Sequence, residues 1–158
     1  MLNDVNINTE SLKQINLNIQ KYSNSPKKVK LIAVTKTFSH KSINSALEND
    51  VNDIGENKIQ EFILKNPHIK NKEKLTTHFI GKIQSNKVKK IVNNFDIIHS
   101  IDRIKILNKV NEAAANQNKK QKILLQVNIS NAKTQSGFNK EETLKISSYA
   151  TKLLNVEL

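Results

Sequence analysis

The sequence predicts an α/β fold with parallel strands, on three observations. Short apolar runs of strand type alternate along the chain with longer stretches whose apolar residues recur at helical spacing. The gap between successive strand-like runs leaves room for one crossover helix, so each pair reads as a right-handed βαβ unit and the strands as a parallel sheet with covered faces. No Gly/Ser/Pro-rich linker or low-complexity tract interrupts the alternation. At 158 residues the chain is long enough for one domain with a real core and short for two, so residues 1–158 are expected to form a single domain.

Leu12, Ile15, Ile19 and Tyr22 recur at helical spacing, and the first two dozen residues are expected to form an amphipathic helix lying against the strands and helices C-terminal to it. Ser23 to Pro26 ends it. A strand is expected over Lys30 to Thr35, then a helix from Ser39 to Glu48 with Ser39 as its cap. Further strands are expected at Asn52 to Gly55, Thr77 to Gly81, Asp96 to Ser100 and Lys122 to Ile129. Between them lie helices at Lys58 to Lys65, Gln84 to Val92, Asp102 to Asn116 and Lys140 to Leu154. Asp102 places a carboxylate near the positive end of its helix. Asn155-Val156-Glu157-Leu158 reads as the opening of a sixth strand.

The formal charge of +12 invites a nucleic-acid reading. Against it, Arg103 is the only arginine, whereas phosphate and base recognition favours the bidentate guanidinium, and no aromatic residues are interleaved with the lysines for stacking. Lysine, asparagine and isoleucine number 25, 23 and 20, a skew that A/T-rich coding produces by itself. No nucleic-acid partner is expected. With no cysteine there is no thiolate metal site, and the four histidines lack paired ligand spacing, so no metal is expected either. The N-terminus has no basic stretch followed by an apolar one, and no apolar run approaches the roughly 20 residues that span a bilayer. A cytoplasmic protein without a membrane partner is the expectation.

Lys36 is the lysine that placement singles out. It comes directly after the apolar run Leu31-Ile32-Ala33-Val34, is bracketed by Thr35 and Thr37, and leads at once into a helical segment. In parallel α/β architectures the C-terminal strand ends form the functional face, so a lysine there faces a site rather than bulk water. The three glycines, Gly55, Gly81 and Gly137, each come after a strand-like segment on that same side, where they allow close backbone approach. None forms a Gly-rich phosphate-binding fingerprint.

The strand ends collect Ala33-Val34-Thr35-Lys36-Thr37, Ile54-Gly55-Glu56-Asn57-Lys58-Ile59-Gln60-Glu61, His78-Phe79-Ile80-Gly81-Lys82-Ile83-Gln84-Ser85-Asn86-Lys87, His99-Ser100-Ile101-Asp102-Arg103, and Gln126-Val127-Asn128-Ile129-Ser130 with Ser136-Gly137. Their order and spacing resemble the pyridoxal phosphate homeostasis proteins, the YggS/PROSC family, from about Leu31 to the end of the chain. The resemblance implies a (β/α) TIM-type barrel related to the alanine racemase N-terminal domain, here incomplete with about five to six strands. It implies pyridoxal 5′-phosphate (PLP) as cofactor, held as a Schiff base on Lys36. An amine attacks an aldehyde only when neutral, and partial burial favours the neutral form of a lysine. Asn57 matches a family asparagine near the cofactor, while its alternative role is to cap the helix beginning at Lys58. His78 is a further candidate, aimed into the barrel by strand alternation or satisfied within the core.

The family pattern carries an aromatic residue where Lys58 stands and a lysine where Gln135 stands. Eight strands close such a barrel, so the implied phosphate-binding loops lie beyond Leu158. The function implied is that of a non-catalytic PLP carrier that hands its cofactor to PLP-dependent apoenzymes. The alternatives are a PLP-dependent racemase-like enzyme, a basic nucleic-acid-binding domain, and an inactive remnant of a split gene. The two tyrosines, Tyr22 and Tyr149, fall on expected helices, and the second domain that supplies a racemase its catalytic tyrosine has no counterpart here.

Overall fold

The computed structural model describes residues 2–130, 132 and 134–158. Their contacts cluster in two compact units, Met1–Gly55 with Gln60–Thr76, and Glu56–Ile59 with Thr77–Leu158.

The first unit holds α1 (Thr9–Tyr22), β1 (Ile32–Val34), α2 (His40–Glu48), most of β2 (Asp53–Glu56) and most of α3 (Ile59–Lys65). β1 and β2 pair in parallel, with Ile32 opposite Asp53 and Val34 opposite Gly55. Ile43, Ala46, Leu47, Val51, Ile54, Phe62 and Ile69 are buried, and each large aliphatic among them contributes roughly 1.5–3 kcal/mol through removal from water. α1 forms where its periodicity requires, with Asn8 accepting from Ser11 N at 2.9 Å as its cap. It buries none of its residues, however: Ile15 is 41% and Tyr22 72% exposed. Its many polar residues leave a stripe too thin to bring it into a core.

The second unit holds most of β3 (Thr76–Phe79), α4 (Val88–Asn94), β4 (Ile97–Ile101), α5 (Ile104–Ala115), β5 (Gln121–Leu125), α6 (Lys140–Ala150) and β6 (Val156–Glu157). β3 pairs with β4, β4 with β5 and β5 with β6, all in parallel. Phe79, Ile91, Val92, Phe95, Ile98, Ile106, Leu107, Val110 and Ile123 form its core, with the Phe79 and Phe95 rings edge to face at 5.2 Å. The sixth strand thus forms at Val156, as the sequence indicates.

Several boundaries differ from the sequence reading. α4 begins at Val88 because Ser85–Lys87 forms a tighter turn first. α6 stops at Ala150, four residues short of Leu154. β5 stops at Leu125: beyond it Asn128 N and Phe138 N donate to Phe138 O and Gln126 O, so the chain pairs with its own loop. Asp102 does not cap α5. Arg103 is the capping residue, and the Asp102 carboxylate is instead gripped by both of its oxygens through Arg103 Nη1, at 2.7 and 2.8 Å.

Candidate functional site

Lys36 stands in a turn between β1 and α2, in the first unit. Thr35 N donates to Gly55 O at 3.1 Å, the last rung against β2, and Phe38 N then closes a four-residue turn on Thr35 O at 3.3 Å. Lys36 and Thr37 are the two central residues. Thr37 has φ of 68°, at the turn position normally served by glycine or asparagine, and a β-branched residue is strained there. Two side chains of α3 hold this turn. Lys65, 2% exposed, donates through its ammonium to Thr35 O at 2.9 Å, and Glu61 Oε2 accepts from Thr37 N at 3.3 Å.

Ser39 caps α2 as expected, accepting from Lys41 N at 3.2 Å while its hydroxyl donates to Asp4 at 2.6 Å. The Lys41 ammonium and then Ser39 hold the Asp4 carboxyl below its ordinary range.

Lys36 itself is exposed rather than partly buried. Val34, two residues earlier, is 48% exposed, whereas Thr35 between them is 2% exposed. β1 pairs with β2 along one edge, and among the described residues no strand of the sheet pairs with its other edge.

Asn57 and His78 belong to the second unit. Asn57 leaves β2 at a point where Ile80 N donates to Glu56 O at 2.8 Å. A Cβ on Gly81 would sit 2.1 Å from Asn57 O, so glycine is required for the two backbones to pass. Asn57 does not cap α3, which begins at Ile59. Its Oδ1 is buried and makes no hydrogen bond. A buried acceptor left unmatched costs about 1–3 kcal/mol, and it fits a ligand that brings a hydrogen-bond donor.

His78 is 2% exposed, and its Nδ1 lies 2.8 Å from His99 Nε2, with the rings edge to face. It is therefore satisfied within the protein. Burial first, and His78 second, push the His99 imidazole below its ordinary value. Of the glycines, Gly55 lies inside β2 rather than after it. Gly81 and Gly137 make room for backbone, the latter at φ of 132° with its Cβ position 2.8 Å from Asn128 N.

The sequence alone does not single out three groups at these places: Glu61, Lys65 and His99. Glu61 and Lys65 stand four apart on one helix, the spacing that puts both on a single face. His99 is in a strand-end motif, but nothing along the chain marks it as the partner of His78.

A family model described as alanine racemase, N-terminal domain, matches residues 10–158. The chain belongs to this family. Among curated members, it is 39% identical over 137 residues to the pyridoxal phosphate homeostasis protein of Buchnera aphidicola subsp. Schizaphis graminum, covering 86% of this chain and 60% of that protein. It is 34% identical over 148 residues to the one from Vibrio alginolyticus, covering 92% and 64%. The chain thus spans about 60% of the length of these relatives, and the resemblance drawn from the strand-end motifs holds. PipY of Synechococcus elongatus PCC7942, solved with PLP bound, is 29% identical with a TM-score of 0.81, covering 94% of this chain and 66% of that one. Alanine racemase of Clostridium difficile 630, at 17% identity and a TM-score of 0.70 over 92% of this chain and 38% of that one, shares the fold. The alanine racemase N-terminal-like fold, an α/β fold with six parallel strands among the described residues, is therefore present here.

Proposed function

We propose that residues 1–158 form a single PLP-binding domain of a non-catalytic, cytoplasmic pyridoxal phosphate homeostasis protein, which holds PLP as a Schiff base on Lys36. The observation that carries this reading is the placement of Lys36, exposed in a braced turn at the C-terminal end of β1. The family to which the chain belongs, and the PLP-bound state of PipY, support it.

PLP supplies a reactive aldehyde on an electron-poor ring. Lys36 Nζ would be the amine offered to that aldehyde, with C=N replacing C=O and the oxygen leaving as water. Exchange of that bond with another amine would release the cofactor, which makes PLP-dependent apoenzymes the proposed recipients. Asn57 is assigned to hydrogen-bonding a ring substituent through its unmatched Oδ1. His78, already bonded to His99, is assigned to shaping its part of the second unit rather than to direct contact.

Titrating PLP while monitoring the visible absorbance of the Schiff base tests the reading. The wild-type chain should develop that band and Lys36→Ala should lose most of it. Equal bands in both proteins would overturn the assignment.

A further inference from the structure

We propose that Glu61 and Lys65 of α3 form a two-point clamp that sets the conformation of the Lys36 turn, making both of them positioning residues for Schiff-base formation. This rests on the reading that Lys36 carries PLP.

The clamp grips the backbone on both sides of Lys36. On one side the Lys65 ammonium donates to Thr35 O at 2.9 Å, and on the other Glu61 accepts from Thr37 N at 3.3 Å. A lysine that is 2% exposed is rare, because burying an ammonium costs far more than burying its methylenes. Its charge is used on a carbonyl that already accepts from Phe38 N, which fixes the orientation of the Thr35–Lys36 peptide. Thr37 at φ of 68° would leave this conformation if released, since its own preference is for extended or helical backbone. Glu61 and Lys65, one helical turn apart, therefore hold a strained turn that presents the exposed Lys36 amine. Strain retained by surrounding bonds is a mark of a pre-organised site.

The clamp predicts separable effects on stability and on reactivity. The measurement is the rate at which the full 158-residue chain is labelled at Lys36 by PLP with borohydride trapping, read by peptide mapping and set against the labelling of exposed lysines elsewhere. Lys65→Met should slow Lys36 labelling about tenfold, the scale of one lost buried hydrogen bond, and Glu61→Ala, which loses an exposed one, should slow it by a smaller factor, neither slowing the other lysines. Glu61→Gln, which keeps an acceptor, should restore most of the rate. Thr37→Gly keeps the backbone N–H and relieves the strain, so it should raise the unfolding midpoint, leave Lys36 labelling at the wild-type rate, and shrink the effect of Glu61→Ala in the double variant, which a merely structural role would not do. It also keeps the test open if Lys65→Met fails to fold. A wild-type rate at Lys36 in folded Glu61→Ala, or an undiminished effect of Glu61→Ala in the Thr37→Gly background, would overturn the clamp and leave the Lys36 reading standing. Absence of any Lys36 label in the wild-type chain would overturn both.

Discussion

His78 Nδ1 and His99 Nε2 share a hydrogen bond at 2.8 Å between adjacent parallel strands. One ring must donate and the other accept, so the pair is compatible with at least one neutral imidazole and opposed to two charged ones. Burial first, and the neighbouring His78 second, hold the His99 imidazole below its ordinary value of 6.5.

Stability should therefore fall in mild acid. The unfolded chain takes up a proton on His99 as pH drops below about 6.5 while the folded protein resists, so the stabilisation is complete above that pH and is lost as pH falls through the folded value. Thermal unfolding between about pH 7 and pH 5 should show a falling midpoint, and His99→Gln should flatten the slope. Asp4 cannot mimic this effect: its carboxyl is lowered from 3.8, so its contribution is lost only at more acid pH. A midpoint independent of pH in this interval would contradict the assignment.

Gly81→Ala should destabilise the protein by about 3 kcal/mol, the upper part of the range for forced overpacking. The added Cβ meets the Asn57 carbonyl at 2.1 Å, and backbone rather than a flexible side chain must give way. Urea unfolding reads the loss directly. A midpoint close to wild type would show that the Asn57 and Gly81 backbones do not pass as described.

Asn57→Ala should separate stability from binding. Removing a buried acceptor that lacks a partner takes away its desolvation cost, so the unfolding midpoint of the free chain should hold or rise. PLP affinity should fall by about tenfold, one good hydrogen bond. Lower stability with unchanged PLP binding would place Asn57 in the framework only.

The alternation of runs was enough to find the six strands and six α-helices seen among the described residues, because each βαβ unit shows its own periodicity. Boundaries failed where backbone from a loop competes with the ladder, as at β5, where Phe138 takes over the main-chain hydrogen bonds of Gln126 and Asn128. The place of Lys36, just past the C-terminal end of β1, was legible from the apolar run before it. Its exposure was not, since that depends on what lies beside β1. Lys65 reads in sequence as one more of 25 lysines, and only the fold reveals its burial under Thr35. The His78–His99 bond depends on the register that sets His78 opposite Ile97, information carried by no single segment.

Lys36, among 25 lysines, is the one proposed to carry the cofactor. Incubating the chain with PLP, reducing with borohydride and mapping the pyridoxyl-labelled peptides tests this most directly. At low PLP the label should concentrate on the peptide containing Thr35-Lys36-Thr37, and Lys36→Ala should lose it. Label spread evenly over the exposed lysines, or concentrated on another one, would contradict the assignment.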